Sequence, residues 1–194
     1  MNSGNDKLAI ILLGAGNSKR FGGRKQFYEI DGEMMYLHML NKLKVLPHTI
    51  PILVTQFLEM KDQVEGFEIV MNESPEKGIS HSIQLGIQAL LEKKEHFVGI
   101  LFAVCDQPYL SKESLLKLVT AYQKSEKTIA CLCYGERMGN PVIFHPKYIE
   151  ELLALSGDTG GKQVLRRHED EVLCVEVNEE KELFDIDTKQ DIVK

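Results

Sequence analysis

The chain has 194 residues, of which 43% are hydrophobic and 27% are charged, a composition typical of a globular protein with one sizeable core. Its net charge is −6 and it has no basic run, which argues against nucleic acid as the main partner. No apolar run is long enough to span a membrane, and the N-terminus lacks the apolar core of a signal peptide. We therefore expect a single domain over residues 1–194, with a flexible tail at 1–6 and no membrane partner.

The first predicted element is a strand at Leu8–Leu13, because six consecutive apolar residues rich in Ile and Leu are typical of a strand buried on both faces. Glycines let backbone N–H groups approach a ligand closely, and fixed cations add to their attraction for phosphate groups. The strand therefore leads into a predicted polyphosphate-binding loop, which carries Gly14, Gly16, Gly22, Gly23, Arg20, Arg24 and Lys25.

Two common phosphate motifs are excluded. A dinucleotide fingerprint requires G-x-G-x-x-G, and no third glycine stands in place after Gly14 and Gly16. A P-loop requires G-x-x-x-x-G-K-[ST], which neither this loop nor the segment 157–163 fits. An ordinary turn is the remaining alternative, but a turn would not need three cations within six residues.

The rest of the chain alternates apolar runs with helical patterns. Strands that alternate with helices form a parallel sheet with helices on both faces, so the predicted fold class is α/β with three layers and a mostly parallel sheet. The turn signal at Asp31-Gly32 indicates a short edge segment over 27–32. We predict strands at 50–55, 68–72, 97–104, 128–134 and 172–177, a polar loop at 135–139, and helices at 34–46, 58–65, 79–94, 111–124, 146–155 and 162–168.

The loop L-L-G-A-G-N-S-K-R-F-G-G-R-K resembles the L-x-x-G-x-S-x-R-[MF]-G-x-x-K loop of nucleotidyltransferases that activate small phosphorylated molecules. It is most similar to that of the molybdenum cofactor nucleotidyltransferases. Four later segments match the family in the same order: C-D-Q-P at 105–108, N-P-V-I-F at 140–144, G-D-T-G-G-K at 157–162 and D-I-D-T-K-Q-D at 185–191. The resemblance implies a Rossmann-like nucleotide-diphospho-sugar transferase fold. It also implies a reaction that joins a nucleoside triphosphate to a phosphorylated acceptor and releases pyrophosphate.

The resemblance implies catalytic roles for Arg20, Lys25 and Asp106. The two cations would hold the triphosphate, and Asp106 would hold Mg²⁺ together with Asp187, with Asp185 as the alternative second ligand. A lone Asp after a strand can also be only a turn residue, although this edge of an open α/β sheet is where ligands bind. The implied nucleotide-binding residues are Leu13, Gly14, Ala15, Gly16, Lys25, Asn72, Gly78, Ser82 and Asp106.

The segment 72–94 has a second interpretation as a capped surface helix, in which Ser80 or Ser82 caps the first turn. A further cap is predicted near the C-terminus, where Thr188 begins a helical turn and Asp191 stands at the position that completes a capping box.

The choice of base depends on residue 15. In the family, L-x-A-G loops go with cytidine and L-x-G-G loops with guanosine, and this chain carries Ala15 while departing at Gly14, where Ala is commoner. The implied donor is CTP, the implied acceptor is molybdopterin, and the implied client is a molybdenum hydroxylase such as xanthine dehydrogenase. Two alternatives stay open: a cytidylyltransferase that acts on a sugar, polyol or isoprenoid phosphate, and a non-catalytic cofactor-delivery protein.

The chain has four cysteines and no C-x-x-C pair. Cys131 and Cys133 lie two apart in an apolar run and share a face of a strand. Buried, reduced thiols are the expected state of Cys105, Cys131, Cys133 and Cys174, and this favours a cytoplasmic location.

Overall fold

The computed structural model describes residues 6–193, so only Asp6 of the predicted tail falls within it. In the described residues there are nine strands: β1 (Lys7–Gly14), β2 (Glu29–Ile30), β3 (Glu33–Met34), β4 (Thr49–Thr55), β5 (Glu68–Met71), β6 (Phe97–Val104), β7 (Ile129–Tyr134), β8 (Arg137–Phe144) and β9 (Val172–Glu176). The α-helices of the same residues are α1 (Met35–Leu43), α2 (Glu59–Gln63), α3 (Ile79–Glu92), α4 (Lys112–Lys124), α5 (Ile149–Leu153) and α6 (Lys162–Arg167).

One seven-stranded sheet forms the centre of the protein, in the order β5-β4-β1-β6-β8-β7-β9. Every neighbouring pair is parallel except those made by β8, which runs antiparallel to both β6 and β7. The predicted α/β class with a mostly parallel sheet is confirmed. The short edge segment predicted over 27–32 belongs to a separate hairpin of β2 and β3.

The polar loop predicted at 135–139 is wrong, because Arg137, Met138 and Gly139 begin strand β8. These residues pair with β7 alone, whereas β6 pairs with β8 only from Val142 onwards. The start of β8 is therefore covered on one edge only and stays partly exposed, so its polar sequence carries no strand signal.

The core has two halves, one on each face of the sheet. Leu8, Ile10 and Leu12 point to the face covered by α1, α2 and α4, while the residues between them, Ala9 and Ile11, point to the face covered by α3, α5 and α6. The prediction that β1 is buried on both faces is confirmed, and the three layers follow from it.

Two caps lie in the second half of the chain, and the one at Thr188 was predicted above. The hydroxyl of Ser111 accepts a hydrogen bond from the backbone N–H of Ser114 at the start of α4, at 3.0 Å. Thr188 and Asp191 form the capping box of a single 3₁₀ turn rather than of a longer helix. The C-terminal motif therefore ends in a tight turn.

The expectation of four reduced thiols is half correct. Cys105 and Cys131 are free and buried, but Cys133 on β7 is joined by a disulfide to Cys174 on the neighbouring β9. Within residues 6–193, no helix combines the length and the apolar character needed to cross a membrane.

Gly86 sets the distance between α3 and the sheet. A Cβ at this position would lie 2.6 Å from Cγ2 of Ile11 and 3.2 Å from Cγ2 of Val54. We predict that Gly86→Ala lowers the free energy of unfolding by about 1–3 kcal/mol, because overpacking outweighs the better helix propensity of alanine. Denaturant titration measures this, and Gln88→Ala, at an exposed position of the same helix, should have little effect. A stabilised Gly86→Ala variant would contradict the close packing.

Candidate active site

A cavity of about 370 Å³, here called the first cavity, opens at the carboxyl ends of β1 and β6. Ligands of open α/β sheets bind at this edge. Among the predicted site residues, those that line it are Leu13, Ala15, Gly16, Arg20, Lys25, Gly78, Ser82, Asp106 and Asp187. Three others, Gly14, Asn72 and Asp185, are not in its wall.

Lys25 lies at the centre of the charged wall of the first cavity. Its Nζ donates to Oδ2 of Asp106 at 2.6 Å and to the backbone oxygen of Ile186 at 2.9 Å, and it lies 3.5 Å from Oδ1 of Asp187. A lysine in a loop of glycines and cations is expected to be exposed, but Lys25 is only 7% exposed, so that expectation is wrong. It is buried because the chain forms a 3₁₀ turn at Lys25–Phe27 and the C-terminal segment crosses over that turn.

Asp106 and Asp187 are brought to the same side of the sheet, as predicted, since Lys25 contacts both carboxylates. The backbone N–H of Ile186 donates to the backbone oxygen of Asp106 at 2.9 Å, and this bond fixes the C-terminal segment against the end of β6. In the described part of the chain, Oδ1 of Asp106 is buried without a hydrogen-bond partner.

Arg20 lies at the rim of the first cavity. Its Nη2 is 2.9 Å from Oδ2 of Asp187, and its side chain is largely exposed. A guanidinium group has five N–H donors, so this ion pair leaves most of the donors of Arg20 free for a ligand.

Asp185 is exposed, whereas Asp187 is partly buried, and the carboxylate of Asp185 lies near those of Asp106 and Asp187. Local desolvation of the carboxyl group, with the nearby charges of Asp106 and Asp187, raises the pKa of Asp185 to about 6, although a hydrogen bond from the side chain of Gln107 acts in the opposite direction. Asp185 is not in the wall of the first cavity, so Asp187 is the better placed of the two alternatives.

The loop after β1 is held in shape by two glutamines that the sequence analysis missed. The Nε2 group of Gln26 donates to the backbone oxygen of Gly16 at 3.0 Å, and that of Gln56 donates to the backbone oxygen of Ala15 at 2.8 Å. Gln56 directly follows β4, so it lies at the carboxyl end of a parallel strand, and the same position in the sheet that indicated Asp106 could have indicated Gln56. Gln26 offered no signal beyond its position next to Lys25.

Asn72 is a supporting residue rather than part of the cavity wall. It is 1% exposed, donates from Nδ2 to the hydroxyl of Ser82 at 2.9 Å, and accepts at Oδ1 from the backbone N–H of Ser74. Asn72 therefore orients Ser82, which does line the first cavity.

The predicted serine cap of α3 is wrong. Neither Ser80 nor Ser82 caps the helix through its side chain, and the backbone N–H of Ser80 instead donates to the backbone oxygen of Gly157 at 3.2 Å. Gly78 precedes the helix with φ +87°, and a Cβ there would lie 2.4 Å from the carbonyl of Gly157. Only glycine fits this contact between the 78 and 157 loops.

Gly14 has a packing role. A Cβ at this position would lie 2.9 Å from Sγ of Cys105, so glycine allows the ends of β1 and β6 to approach each other. Burial raises the pKa of the Cys105 thiol, which keeps it protonated. Gly14 therefore shapes the first cavity from behind.

The residues present can hold a divalent cation only with help from a ligand. Among residues 6–193, no group of three or more His, Cys, Asp or Glu side chains converges as a metal site. Mg²⁺, however, often binds through one or two carboxylates and completes its coordination with substrate phosphates and water. The unpartnered Oδ1 of Asp106 at the wall of the first cavity fits that arrangement.

Curated relatives were found at moderate identity. A probable molybdenum cofactor guanylyltransferase from Geobacillus sp. (strain WCH70) is 25% identical over 198 residues, which covers 94% of this chain and 100% of that protein. A probable molybdenum cofactor guanylyltransferase from Methanocaldococcus jannaschii is 30% identical over 161 residues, which covers 76% of this chain and 70% of that protein.

Solved structures share the fold. Rv0371c from Mycobacterium tuberculosis H37Rv superimposes with a TM-score of 0.77 at 21% identity, covering 96% of this chain and 95% of that one. A manganese complex of Rv0371c superimposes with a TM-score of 0.74 at 19% identity, and the match covers 96% of this chain and 96% of that one. The 4-diphosphocytidyl-2C-methyl-D-erythritol synthase from Anaerococcus prevotii superimposes with a TM-score of 0.75 at 19% identity. The match covers 96% of this chain and 93% of that one. These similarities confirm the predicted nucleotidyltransferase fold.

The sequence also matches the MobA-like NTP transferase domain over residues 10–172, which is most of the chain. This match confirms the resemblance to molybdenum cofactor nucleotidyltransferases that the loop motifs indicated. The chain belongs to the family of MobA-like NTP transferase domains and is a nucleotidyltransferase.

Proposed function

We propose that this nucleotidyltransferase transfers CMP from CTP to molybdopterin, which yields molybdopterin cytosine dinucleotide and pyrophosphate. The observation that carries the proposal is the set of Lys25, Asp106 and Asp187 at the wall of the first cavity, with Arg20 at its rim. A volume of about 370 Å³ lies in the range of small-molecule sites.

In the proposed reaction, Lys25 and Arg20 hold the triphosphate and stabilise the charge of the transition state. The 3.5 Å contact between Lys25 and Asp187 is the longest of the three that Lys25 makes. It is therefore the contact that a phosphate oxygen can replace at least cost. Arg20 meets the same anion from the exposed rim.

Mg²⁺ is assigned to Asp106 and Asp187, of which Asp106 offers a buried oxygen without a partner among the described residues. When bound, the ion would neutralise donor phosphate charge and act as a Lewis acid. Asp106 is held for this task by Lys25, which engages its other oxygen.

The acceptor phosphate needs no protein nucleophile. A phosphate monoester is largely anionic at neutral pH, so the main obstacle is repulsion, which for two unit charges at ~4 Å is roughly 4 kcal/mol at an effective dielectric constant of 20. The cations of the first cavity offset this repulsion, and positioning supplies much of the remaining acceleration. The absence of a catalytic triad in the sequence is consistent with this chemistry.

The proposed preference for CTP rests on Ala15, which is buried and lines the first cavity. Guanosine-using members of the family carry glycine at this position. GTP is the second candidate, because the curated relatives are named guanylyltransferases. A methyl group can exclude part of a purine. Of the residues expected to contact the base, Gly78 and Ser82 line the first cavity.

The acceptor is the other half of the proposal. Molybdopterin follows from the family, and a molybdenum hydroxylase is the client that we expect. A delivery protein without catalysis would not require Lys25, Asp106 and Asp187 together beside one cavity. The experiment is pyrophosphate release with each triphosphate, with and without molybdopterin. Release with a sugar, polyol or isoprenoid phosphate but not with molybdopterin would overturn the proposed acceptor.

We predict that Lys25→Met lowers turnover on the order of 100-fold, because it removes a cation from the transition state. The variant should also lose about 1–3 kcal/mol of stability, since the partly buried Asp106 loses its partner. Steady-state pyrophosphate release and thermal unfolding measure the two effects.

Lys42→Met is the matched control for Lys25→Met. Burial lowers the pKa of Lys42 to about 8, and its Nζ donates to the backbone oxygen of Pro108, but it is not in the wall of the first cavity. Its turnover should stay near that of the wild type. A folded Lys25→Met protein with normal turnover would remove the proposed role of Lys25.

We predict that Asp106→Asn and Asp187→Asn each weaken Mn²⁺ binding in the presence of CTP by at least about 10-fold, because an amide oxygen replaces a charged ligand. Electron paramagnetic resonance titration of free Mn²⁺ measures the effect. Asp185→Asn serves as the comparison, and it should weaken Mn²⁺ binding less than either of the other two substitutions does. A larger loss in Asp185→Asn than in Asp187→Asn would exchange the roles of the two residues.

We predict that the wild type prefers CTP over GTP and that Ala15→Gly narrows the gap without reversing it. One methylene-sized change in a pocket is worth about 1–3 kcal/mol, or roughly 10–200-fold in selectivity. The ratio of kcat/KM for the two triphosphates, with molybdopterin as acceptor, measures this. A wild-type preference for GTP would refute the cytidine assignment and leave the nucleotidyltransferase activity intact.

A further inference from the structure

A smaller cavity of about 160 Å³, here called the second cavity, is lined by Gln107 and Asp185, which lie close in the chain to Asp106 and Asp187 of the first cavity. It is lined by the start of β8, by α6 and by the segments that follow β6 and precede Asp187. The residues that matter for its chemistry are Gln107, Arg137, Asn140, Lys162 and Asp185.

Neighbouring residues of the chain line the two different cavities. Asp106 lines the first cavity and Gln107 the second, while Asp187 lines the first and Asp185 the second. The wall between the cavities therefore carries the carboxylates at which nucleotidyl transfer is proposed. A ligand in the second cavity would present a group to that wall from the side opposite the nucleotide.

Gln107 gives the strongest indication of what the second cavity binds. Its side chain is 1% exposed, and within the described residues its Oε1 has no hydrogen-bond partner. Buried polar atoms in proteins nearly always have a partner, because an unpaired acceptor costs the free energy of its desolvation. A ligand with an N–H or O–H donor would remove this cost.

The shape of the second cavity limits the ligand. Its apolar walls come from Met138, Val142, Leu165 and Leu183. A dry engineered cavity of about 150 Å³ holds one benzene molecule, so a volume of about 160 Å³ suits a flat ring system and is too small for a whole nucleotide. Lys162, exposed at the mouth, adds a donor for a carbonyl oxygen.

We propose that the second cavity binds the ring system of the acceptor and that Gln107 determines its specificity by accepting a hydrogen bond at Oε1 from an N–H group on the ring edge. The inference rests on the proposed function, which supplies the acceptor. An aminopyrimidinone edge, as in a pterin, presents N–H donors to Gln107 and Asp185 and a carbonyl oxygen to Lys162. A sugar or polyol phosphate has neither the flat ring nor the N–H edge.

The test measures binding of 6-hydroxymethylpterin, a fluorescent pterin without phosphate, to the full chain by fluorescence titration. Gln107→Met should weaken this binding by about 10-fold or more, because the variant keeps the size of the side chain and removes the acceptor. Lys162→Met, at an exposed position, should weaken it several-fold. Gln123→Met on α4 is the control and should bind as the wild type does.

A second measurement on the wild type does not depend on the folding of a variant. The analogue 6-hydroxymethyllumazine, in which a carbonyl oxygen replaces the 2-amino group, should bind at least about 10-fold more weakly than the pterin, because it turns a donor into an acceptor. CTP binding to each variant reports whether the first cavity is intact.

Equal binding of the pterin and the lumazine by the wild type, or unchanged pterin binding by a Gln107→Met protein that binds CTP normally, would overturn the inference. Absence of pterin binding by a wild type that transfers nucleotide to another phosphorylated acceptor would overturn it as well. Pterin binding that depends on Gln107 in a protein that uses GTP instead of CTP would support the inference while refuting the proposed donor.

Discussion

The buried ammonium group of Lys25 joins three distant stretches of the chain. The lysine comes from the loop after β1, Asp106 lies in the turn that follows β6, and Ile186 and Asp187 come from the C-terminal segment. A buried charge is costly unless it is paired and hydrogen-bonded. The ammonium group of Lys25 therefore holds the turn after β6 and the C-terminal segment in the positions from which they can bind it. The backbone bond from Ile186 to Asp106 adds a connection that no side-chain substitution removes. The shape of the first cavity therefore depends on a segment near the end of the chain.

The fold was predictable where burial is uniform. β1 and β6 are covered on both edges and both faces, so their sequences are continuously apolar and their bounds follow closely from the sequence. Prediction failed at the start of β8, where pairing on one edge leaves Arg137 and Asn140 partly exposed. It also failed for Cys133 and Cys174, because the pairing of β7 with β9 spans residues far apart in the chain and sequence spacing does not reveal it.

The site was predictable to the extent that charge and position at a strand end identify a residue. Lys25, Asp106 and Asp187 were expected together and lie together, although the burial of Lys25 could not be read from a loop of glycines and cations. Asn72 was expected to contact the base but orients Ser82 from behind the cavity wall. The contacts of Gln26 and Gln56 with the loop after β1 were missed, because amide groups carry no charge and these residues follow no spacing pattern.

In the proposed reaction, selectivity for the base and selectivity for the acceptor belong to different cavities. Residue 15 and the loop at Gly78 line only the first cavity, whereas Gln107 and Lys162 line only the second, and the carboxylates stand between them. Substitutions at sites without shared partners usually act additively, so in the proposed reaction the base and the acceptor can be changed independently. Asp106 and Asp187 cannot change in this way, because both carboxylates contact the same ammonium group of Lys25. In the proposed reaction of this chain, donor and acceptor selectivity can therefore change while Asp106 and Asp187 stay constrained by their shared lysine.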